Sequence, residues 1–186
     1  MVIIVPTYKN QDLLEKCIES VFNKIQTNIN ICIILNNNDF ATAERYKSDP
    51  RIITYILGNN FGFSFAVNYG VKKFSNENII MLLNDDTMLN DELNIEHIDK
   101  LFQSNTIFSI SLKMLQYTAP ELIDDAGDKY TILGWQYKRG SGLPQHKYNM
   151  ECEIISSCGG AAIYNKKILD EIGYFDEDFF AYLEDV

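Results

Sequence analysis

Apolar side chains recur along this chain with two different periods, and the alternation between them predicts an α/β fold. Val2-Ile3-Ile4-Val5, Ile31-Cys32-Ile33-Ile34-Leu35 and Ile79-Ile80-Met81-Leu82-Leu83 are short runs without polar interruption. Such runs suit strands buried on both faces, as in a parallel sheet. The first is expected to stop at Pro6, which lacks the N–H that a continuing ladder uses. Arg51 to Ile56 reads as a further strand. Between them the period changes to that of a helix. Leu13, Leu14, Cys17, Ile18, Val21 and Phe22 mark one face, with Asn10 as N-cap, and a short polar helix runs from about Ala41 to Lys47. Phe63, Ala66, Val67, Gly70, Val71 and Phe74 mark another helix, with Ser64 and Asn68 together on a second face. A helix from Asp91 to about Phe102 follows the third run. Strands alternating with helices predict a parallel sheet covered on both sides.

Beyond Phe102 the pattern weakens. Ile107–Leu112 and Glu153–Ser157 read as strands, and Lys166–Ile172 as a short helix closed by Gly173. From Lys113 to Gln145 no period persists, and an ordered functional loop is expected. Its aromatics, Tyr117, Tyr130, Trp135 and Tyr137, read as a small satellite core, with stacking on a ligand ring the alternative.

Composition narrows the function classes. At 186 residues the chain is long enough for one domain with a proper core, and its 46% hydrophobic content is that of a globular protein. A net charge of −10 disfavours a general nucleic-acid binder and a polybasic membrane anchor. No run is long enough for a transmembrane helix, and Met1 leads directly into a strand without a signal-peptide pattern. Cys17, Cys32, Cys152 and Cys158 lack CxxC spacing, and His97 and His146 lie far apart, so a reduced chain without a zinc site is expected. The location read from this is cytoplasmic, including a peripheral position at the inner membrane face.

The candidate chemistry sits directly after the central run, where Asn84-Asp85-Asp86-Thr87 places an amide and two carboxylates at the carboxyl end of a strand. Open α/β sheets bind ligands at that end. Adjacent carboxylates repel unless a cation lies between them, and a hard divalent ion holding phosphate oxygens meets that need. A solvated turn is the simpler reading of the same residues.

Four local sequences, taken in order, resemble glycosyltransferase family 2, whose members are inverting enzymes with the GT-A fold. Val2-Ile3-Ile4-Val5-Pro6-Thr7-Tyr8 resembles the family's first strand and nucleotide-binding turn. Asn60-Phe61-Gly62-Phe63 with Asn68-Tyr69-Gly70 looks like its N-x-G-F…N-x-G segment, and Asn84-Asp85-Asp86-Thr87 falls at its DxD or NPDT metal motif. Cys158-Gly159-Gly160-Ala161-Ala162, Gly173-Tyr174-Phe175-Asp176-Glu177 and Phe180-Ala181-Tyr182-Leu183-Glu184-Asp185 resemble the end of its catalytic domain. Asp125-Ala126-Gly127 makes the chain most similar to the rhamnosyltransferase-like branch.

The resemblance implies a Rossmann-like, mostly parallel GT-A sheet with helices on both faces. It divides the chain into a nucleotide-binding half of about 1–103 and an acceptor-side half of about 104–186. It further implies sugar transfer from a UDP- or dTDP-linked donor to a glycan or lipid-linked acceptor, in the biosynthesis of a surface polysaccharide or glycoconjugate. Pro6, Thr7 and Tyr8 would contact base and ribose, and Asp86 would be the main ligand of Mg²⁺ or Mn²⁺, helped by Asp85 or Asn84. Asp185, with Glu184 beside it, would deprotonate the acceptor hydroxyl. Asp176 and Glu177 read as turn or cap residues.

Two positions depart from the family pattern. Asn84 replaces the first Asp of the metal motif. Asn36-Asn37 replaces an Asp-Asn pair whose Asp accepts a hydrogen bond from a pyrimidine ring, and Asn36 can accept that bond only without the charge-assisted part. Asn60 and Asn68 either contact the donor or cap and brace their helix, and Gly62 allows close backbone approach in both cases. The resemblance also implies further helices after Asp185, so a truncated or fragmentary chain with weak donor binding and poor turnover is expected. A non-catalytic nucleotide-sugar-binding module is the alternative. A sugar nucleotidyltransferase would require a basic, Gly-rich loop where Pro6-Thr7-Tyr8-Lys9-Asn10 stands.

Overall fold

The computed structural model of the protein describes residues 1–104 and 106–185. In chain order the elements are β1 (Val2–Thr7), α1 (Gln11–Lys24), β2 (Asn30–Leu35), α2 (Phe40–Tyr46), β3 (Ile52–Ile56), α3 (Phe63–Lys73), β4 (Ile79–Leu83) and α4 (Ile95–Gln103). Then come β5 (Ser109–Ser111), β6 (Met114–Gln116), β7 (Ala119–Asp125), β8 (Asp128–Tyr130), β9 (Gln136–Lys138), a 3-10 turn (Gln145–Tyr148), β10 (Ala161–Asn165) and α5 (Lys166–Ile172). Six strands form the central sheet in the order β3-β2-β1-β4-β10-β5. The first four pair in parallel, while β10 runs antiparallel to both β4 and β5.

Strand alternation divides the core into two layers. Ile3, Val5, Ile31, Ile33, Met81 and Leu83 point to the face covered by α1 and α4. Val2, Ile4, Cys32, Ile34, Ile80 and Leu82 point to the face covered by α3 and α5. All twelve are fully buried. Each aliphatic side chain so buried contributes roughly 1.5–3 kcal/mol relative to exposure. This explains why the uninterrupted apolar runs specify the sheet.

Several boundaries differ from the sequence expectation. Pro6 does not end β1: pairing with β2 continues to Thr7↔Leu35, whereas pairing with β4 ends at Ile4↔Leu82. Beyond Ile4 the two central strands therefore diverge. Helix α4 begins later than Asp91, because the Asn94 side chain caps it by accepting from the His97 N–H at 3.0 Å. No strand forms at Glu153–Ser157, where Asp128↔Ser156 is an isolated bridge. The strand lies instead at Ala161–Asn165, whose alanines are poor strand formers but small enough to be buried on both faces.

The region Lys113–Gln145 holds two short antiparallel ladders, β6 with β7 and β8 with β9. Its aromatics form no satellite core, because Tyr117, Tyr130, Trp135 and Tyr137 are all exposed. Lys166–Ile172 is a helix as expected, and Gly173 closes it in the left-handed conformation at φ 101°. Among the described residues no helix is long and apolar enough to cross a membrane.

Candidate active site

The divergence of β1 from β4 opens the sheet at the carboxyl ends of both strands, which is where the candidate residues gather. Thr7 is buried at the end of β1, Tyr8 is exposed, and Lys9 turns the chain through a left-handed φ of 59°. Asn10 occupies the N-cap position of α1 but makes no side-chain cap. Its amide donates instead to Asp85 Oδ1 across the opening, at 3.1 Å. Burial raises the Asp85 carboxyl above the usual range, and the neighbouring Asp86 adds to this. Hydrogen bonds from Thr7, Asn10 and the Tyr8 backbone oppose the rise. Asp86 itself is exposed at the rim. Beneath the pair, Cys17 donates to the Asn84 carbonyl at 3.5 Å, and burial followed by the two aspartates pushes its thiol up to about 12.

Asn84 connects the turn after β4 to the chain's second half. Its N–H donates to the Gly160 carbonyl at 2.9 Å. The preceding residue, Gly159, donates its N–H to Asp185 Oδ2 at 2.7 Å. A path of direct contacts therefore runs from Thr7 through Asp85, Asn84 and the Gly159–Gly160 pair to Asp185. Glu184 lies beside it with a raised carboxyl, through burial first and Asp185 second. Among the described residues its Oε2 is buried without a hydrogen-bond partner. Tyr182 and Leu183, just before these carboxylates, both adopt left-handed backbone (φ 74° and 66°). That conformation is costly for non-glycine residues and must be held by surrounding contacts.

Contacts from α3 hold the segment just before them. Phe63 N–H donates to the Phe180 carbonyl at 2.7 Å, and the Ser64 hydroxyl donates to the Phe179 carbonyl at 2.8 Å. The buried Asn68 amide donates to the Phe175 carbonyl (2.8 Å) and to Glu177 (2.9 Å), and accepts from the Phe175 N–H (3.1 Å). Gly62 makes the approach possible: at φ 88°, a Cβ there would stand 2.4 Å from the Phe180 oxygen. Asn68 thus ties α3 to the segment at Phe175–Glu177. Asp176 accepts from the Asp178 N–H at 2.9 Å, as a turn residue should.

Asn36 and Asn60 are likewise engaged with each other. Asn36 is buried, donates to Asn60 Oδ1 (2.9 Å) and the Gly62 carbonyl (3.1 Å), and accepts from the Phe61 N–H (2.9 Å). It secures the loop before α3, and its oxygen already has one donor. Sequence reasoning passed over its neighbour. Asn37 Oδ1 is buried without a hydrogen-bond partner among the described residues. Asn37 also borders an open cleft of about 580 Å³ between Lys9–Asp12 and Asn37–Asp39. Only an acceptor orphaned by the fold signals such a residue, and no sequence pattern reports that. The cleft shares Asn10 with the Asp85 contact, so the two features adjoin.

Residues 2–173 match the model of glycosyl transferase family 2. The chain belongs to this family. Its relatives include a protein described as an uncharacterized glycosyltransferase of Rickettsia conorii, 27% identical over 184 residues, covering 94% of this chain and 28% of that protein. Another is the low-salt glycan biosynthesis hexosyltransferase Agl10 of Haloferax volcanii, 22% identical over 191 residues, covering 99% of this chain and 58% of that protein. The chain thus spans less than two thirds of either relative.

Solved structures show the same GT-A fold. Staphylococcus aureus TarS 1-349 in complex with UDP aligns with a TM-score of 0.64 at 16% identity, covering 98% of this chain and 52% of that one. The mannosyltransferase PcManGT of Pyrobaculum calidifontis, with GDP-Man and Mn²⁺, gives 0.62 at 14% identity, covering 95% and 47%. GalNAc-T7 with UDP, GalNAc and Mn²⁺ gives 0.74 at 12%, covering 97% and 38%. The family match ends at Gly173, before Glu184 and Asp185. Of those two carboxylates, Asp185 is joined to the site by the Gly159 N–H.

Proposed function

We propose that this family 2 domain transfers a sugar from a nucleotide-diphosphate donor to a glycan or lipid-linked acceptor, with inversion at the anomeric carbon. The observation that carries the reading is the contact path joining the Thr7–Asp85 opening to Asp185 at one end of the sheet. The base and ribose, as in UDP or dTDP, would lie in the cleft beside Pro6-Thr7-Tyr8 that Asn37 borders. Asn36, Asn60 and Gly62 would shape the pocket by fixing the loop before α3, and Asn68 would hold the segment that carries Asp185.

Among the described residues no group of three or more His, Cys, Asp or Glu side chains could hold a metal ion by itself. Two carboxylates that need substrate oxygens to complete a shell fit Mg²⁺ or Mn²⁺, which commonly take one or two carboxylates plus phosphates. Asp86, exposed at the rim, would be the main ligand, with Asp85 or Asn84 beside it. The ion would neutralise charge on the leaving diphosphate. Mn²⁺ in two structures of this fold supports that choice. Asp185 would take the proton from the acceptor hydroxyl, with Gly159 N–H orienting its carboxylate and the buried Glu184 beside it.

Titration calorimetry with UDP, dTDP and GDP, with and without Mn²⁺, tests the donor side. Mn²⁺-dependent pyrimidine-diphosphate binding is expected, and it should disappear in Asp86→Asn. Asp185→Asn should keep that binding and lower donor turnover by about 10²–10⁴-fold. Binding that survives Asp86→Asn, or turnover that survives Asp185→Asn, would overturn the corresponding assignment. Binding without any transfer would favour a nucleotide-sugar-binding module.

A further inference from the structure

The turn that carries Asp85 and Asp86 has no regular structure of its own: residues 84–94, between β4 and α4, form neither helix nor strand. One side of α1 holds it. The Asn10 amide donates to Asp85 Oδ1 at 3.1 Å, and the Cys17 thiol donates to the Asn84 carbonyl at 3.5 Å. Further along, the Ser20 hydroxyl accepts the Leu89 N–H at 3.0 Å, and the Lys24 carbonyl accepts the Leu93 N–H at 3.2 Å. With one turn per about 3.6 residues, positions 10, 17, 20 and 24 fall within an arc of about 80°. Three of these four contacts reach backbone, and Asn10 holds a carboxylate. Thr7 and the Tyr8 backbone hold the same carboxylate from β1.

Asn10 makes this contact instead of a helix cap. Asp39, Asn94 and Asn165 stand at the N-caps of α2, α4 and α5, and each side chain accepts a backbone N–H of the first turn. Asn10 holds the same position on α1, a longer helix, and its side chain makes no such bond. An asparagine N-cap normally stabilises its helix through that bond, so its diversion to Asp85 calls for another reason. The chemistry of the amide supplies one. A neutral N–H donor fixes the rotation of a carboxylate and brings no positive charge that would compete with a divalent cation. The adjacent Lys9 ammonium lies over the Tyr8 ring. Carboxylates that ligate metals are themselves generally held by such hydrogen bonds.

We propose that Asn10 is a positioning residue. It holds Asp85, and with it the turn that carries Asp86, in the arrangement that lets a divalent cation bridge this turn and a nucleoside diphosphate. Asn10 acts on the ion through Asp85. The proposal rests on the reading of Asp85 and Asp86 as metal ligands.

Titration calorimetry of UDP, dTDP and GDP with and without Mn²⁺ tests it, because the ratio of the two affinities isolates the contribution of the metal. Asn10→Ala should lower that ratio by about tenfold or more, as expected when a metal ligand loses a supporting hydrogen bond. Asn10→Ser should lower it as well, since the hydroxyl is one bond shorter than the amide. The same hydroxyl can cap α1, so the melting temperature of this variant should equal or exceed the parent's. Ser20→Ala is the structural control. It removes the acceptor of the Leu89 N–H, and should lower the melting temperature while leaving the ratio at the parent's value. A ratio unchanged in both Asn10 variants would overturn the proposal, including the case where affinity falls equally with and without Mn²⁺. An equal fall of the ratio in Ser20→Ala would overturn it too, because the turn would then be held collectively. A parent protein that binds all three diphosphates regardless of Mn²⁺ would remove the metal reading, and the proposal with it. A Mn²⁺-dependent parent with insensitive Asn10 variants would remove the proposal alone.

Discussion

The two ends of the chain reach the same site by different physical means. Residues 1–103 place Thr7 and Asp85 with strands whose side chains are buried on both faces, so packing fixes their positions collectively. Residues 106–185 place Asp185 through single contacts: one N–H from Gly159, one from Phe63 to Phe180, and the Asn68 amide. The first arrangement tolerates the loss of any one polar group. The second depends on particular ones. Asp185, a candidate residue, is thus placed outside the best-packed part of the fold.

The sharpest way to break this comparison is to remove packing on each side. Leu82→Ala, in the middle of β4, should cost about 2–5 kcal/mol in urea unfolding, whereas Leu133→Ser in the exposed turn between β8 and β9 should stay within about 0.5 kcal/mol. Equal losses would mean that the second region is packed as tightly as the first.

Gly62→Ala should come next. Its Cβ would meet the Phe180 carbonyl, and its φ is unfavourable for alanine, so a loss of about 1–3 kcal/mol is expected. Limited proteolysis should then cut within 176–185 while the sheet stays folded. Uniform resistance to protease would show that the segment is held by something other than α3.

A smaller, pH-dependent effect belongs to Asp125. Fully buried, with Oδ2 unpartnered among the described residues, its carboxyl is pushed up to about 6, by burial first and Asp128 second. The folded state therefore holds this proton more tightly than the unfolded chain does. The associated stability is complete below about pH 4 and is lost as pH rises through about 6, on the order of 2 kcal/mol. Thermal melts across that window should show the decline, and Asp125→Asn should flatten it. A parent profile already flat there would remove Asp125 as the cause.

Much of the candidate site could be read from residues alone, and the reason differs from one residue to another. Asp85 and Asp86 were legible because they follow an apolar run that can only be a buried strand. Asn10 read as a helix cap, yet its amide reaches Asp85, because the divergence of β1 and β4 brings a residue 75 positions away within reach. Asn36 read as a base acceptor, and the loop before α3 folds back so that its oxygen also accepts the Phe61 N–H. Trp135 read as core because aromatics usually are, and nothing local shows that the ladder beneath it lifts it into solvent.

The sequence by itself determined the doubly covered sheet, its parallel half and the side of it on which chemistry would lie. Those follow from hydrophobic period, which is local and repeated over many residues. Tertiary structure decided which donor meets which acceptor: Asn10 with Asp85, Asn68 with Phe175, Gly159 with Asp185. Each of these rests on one hydrogen bond between distant segments, and a single bond leaves no periodic trace in the chain.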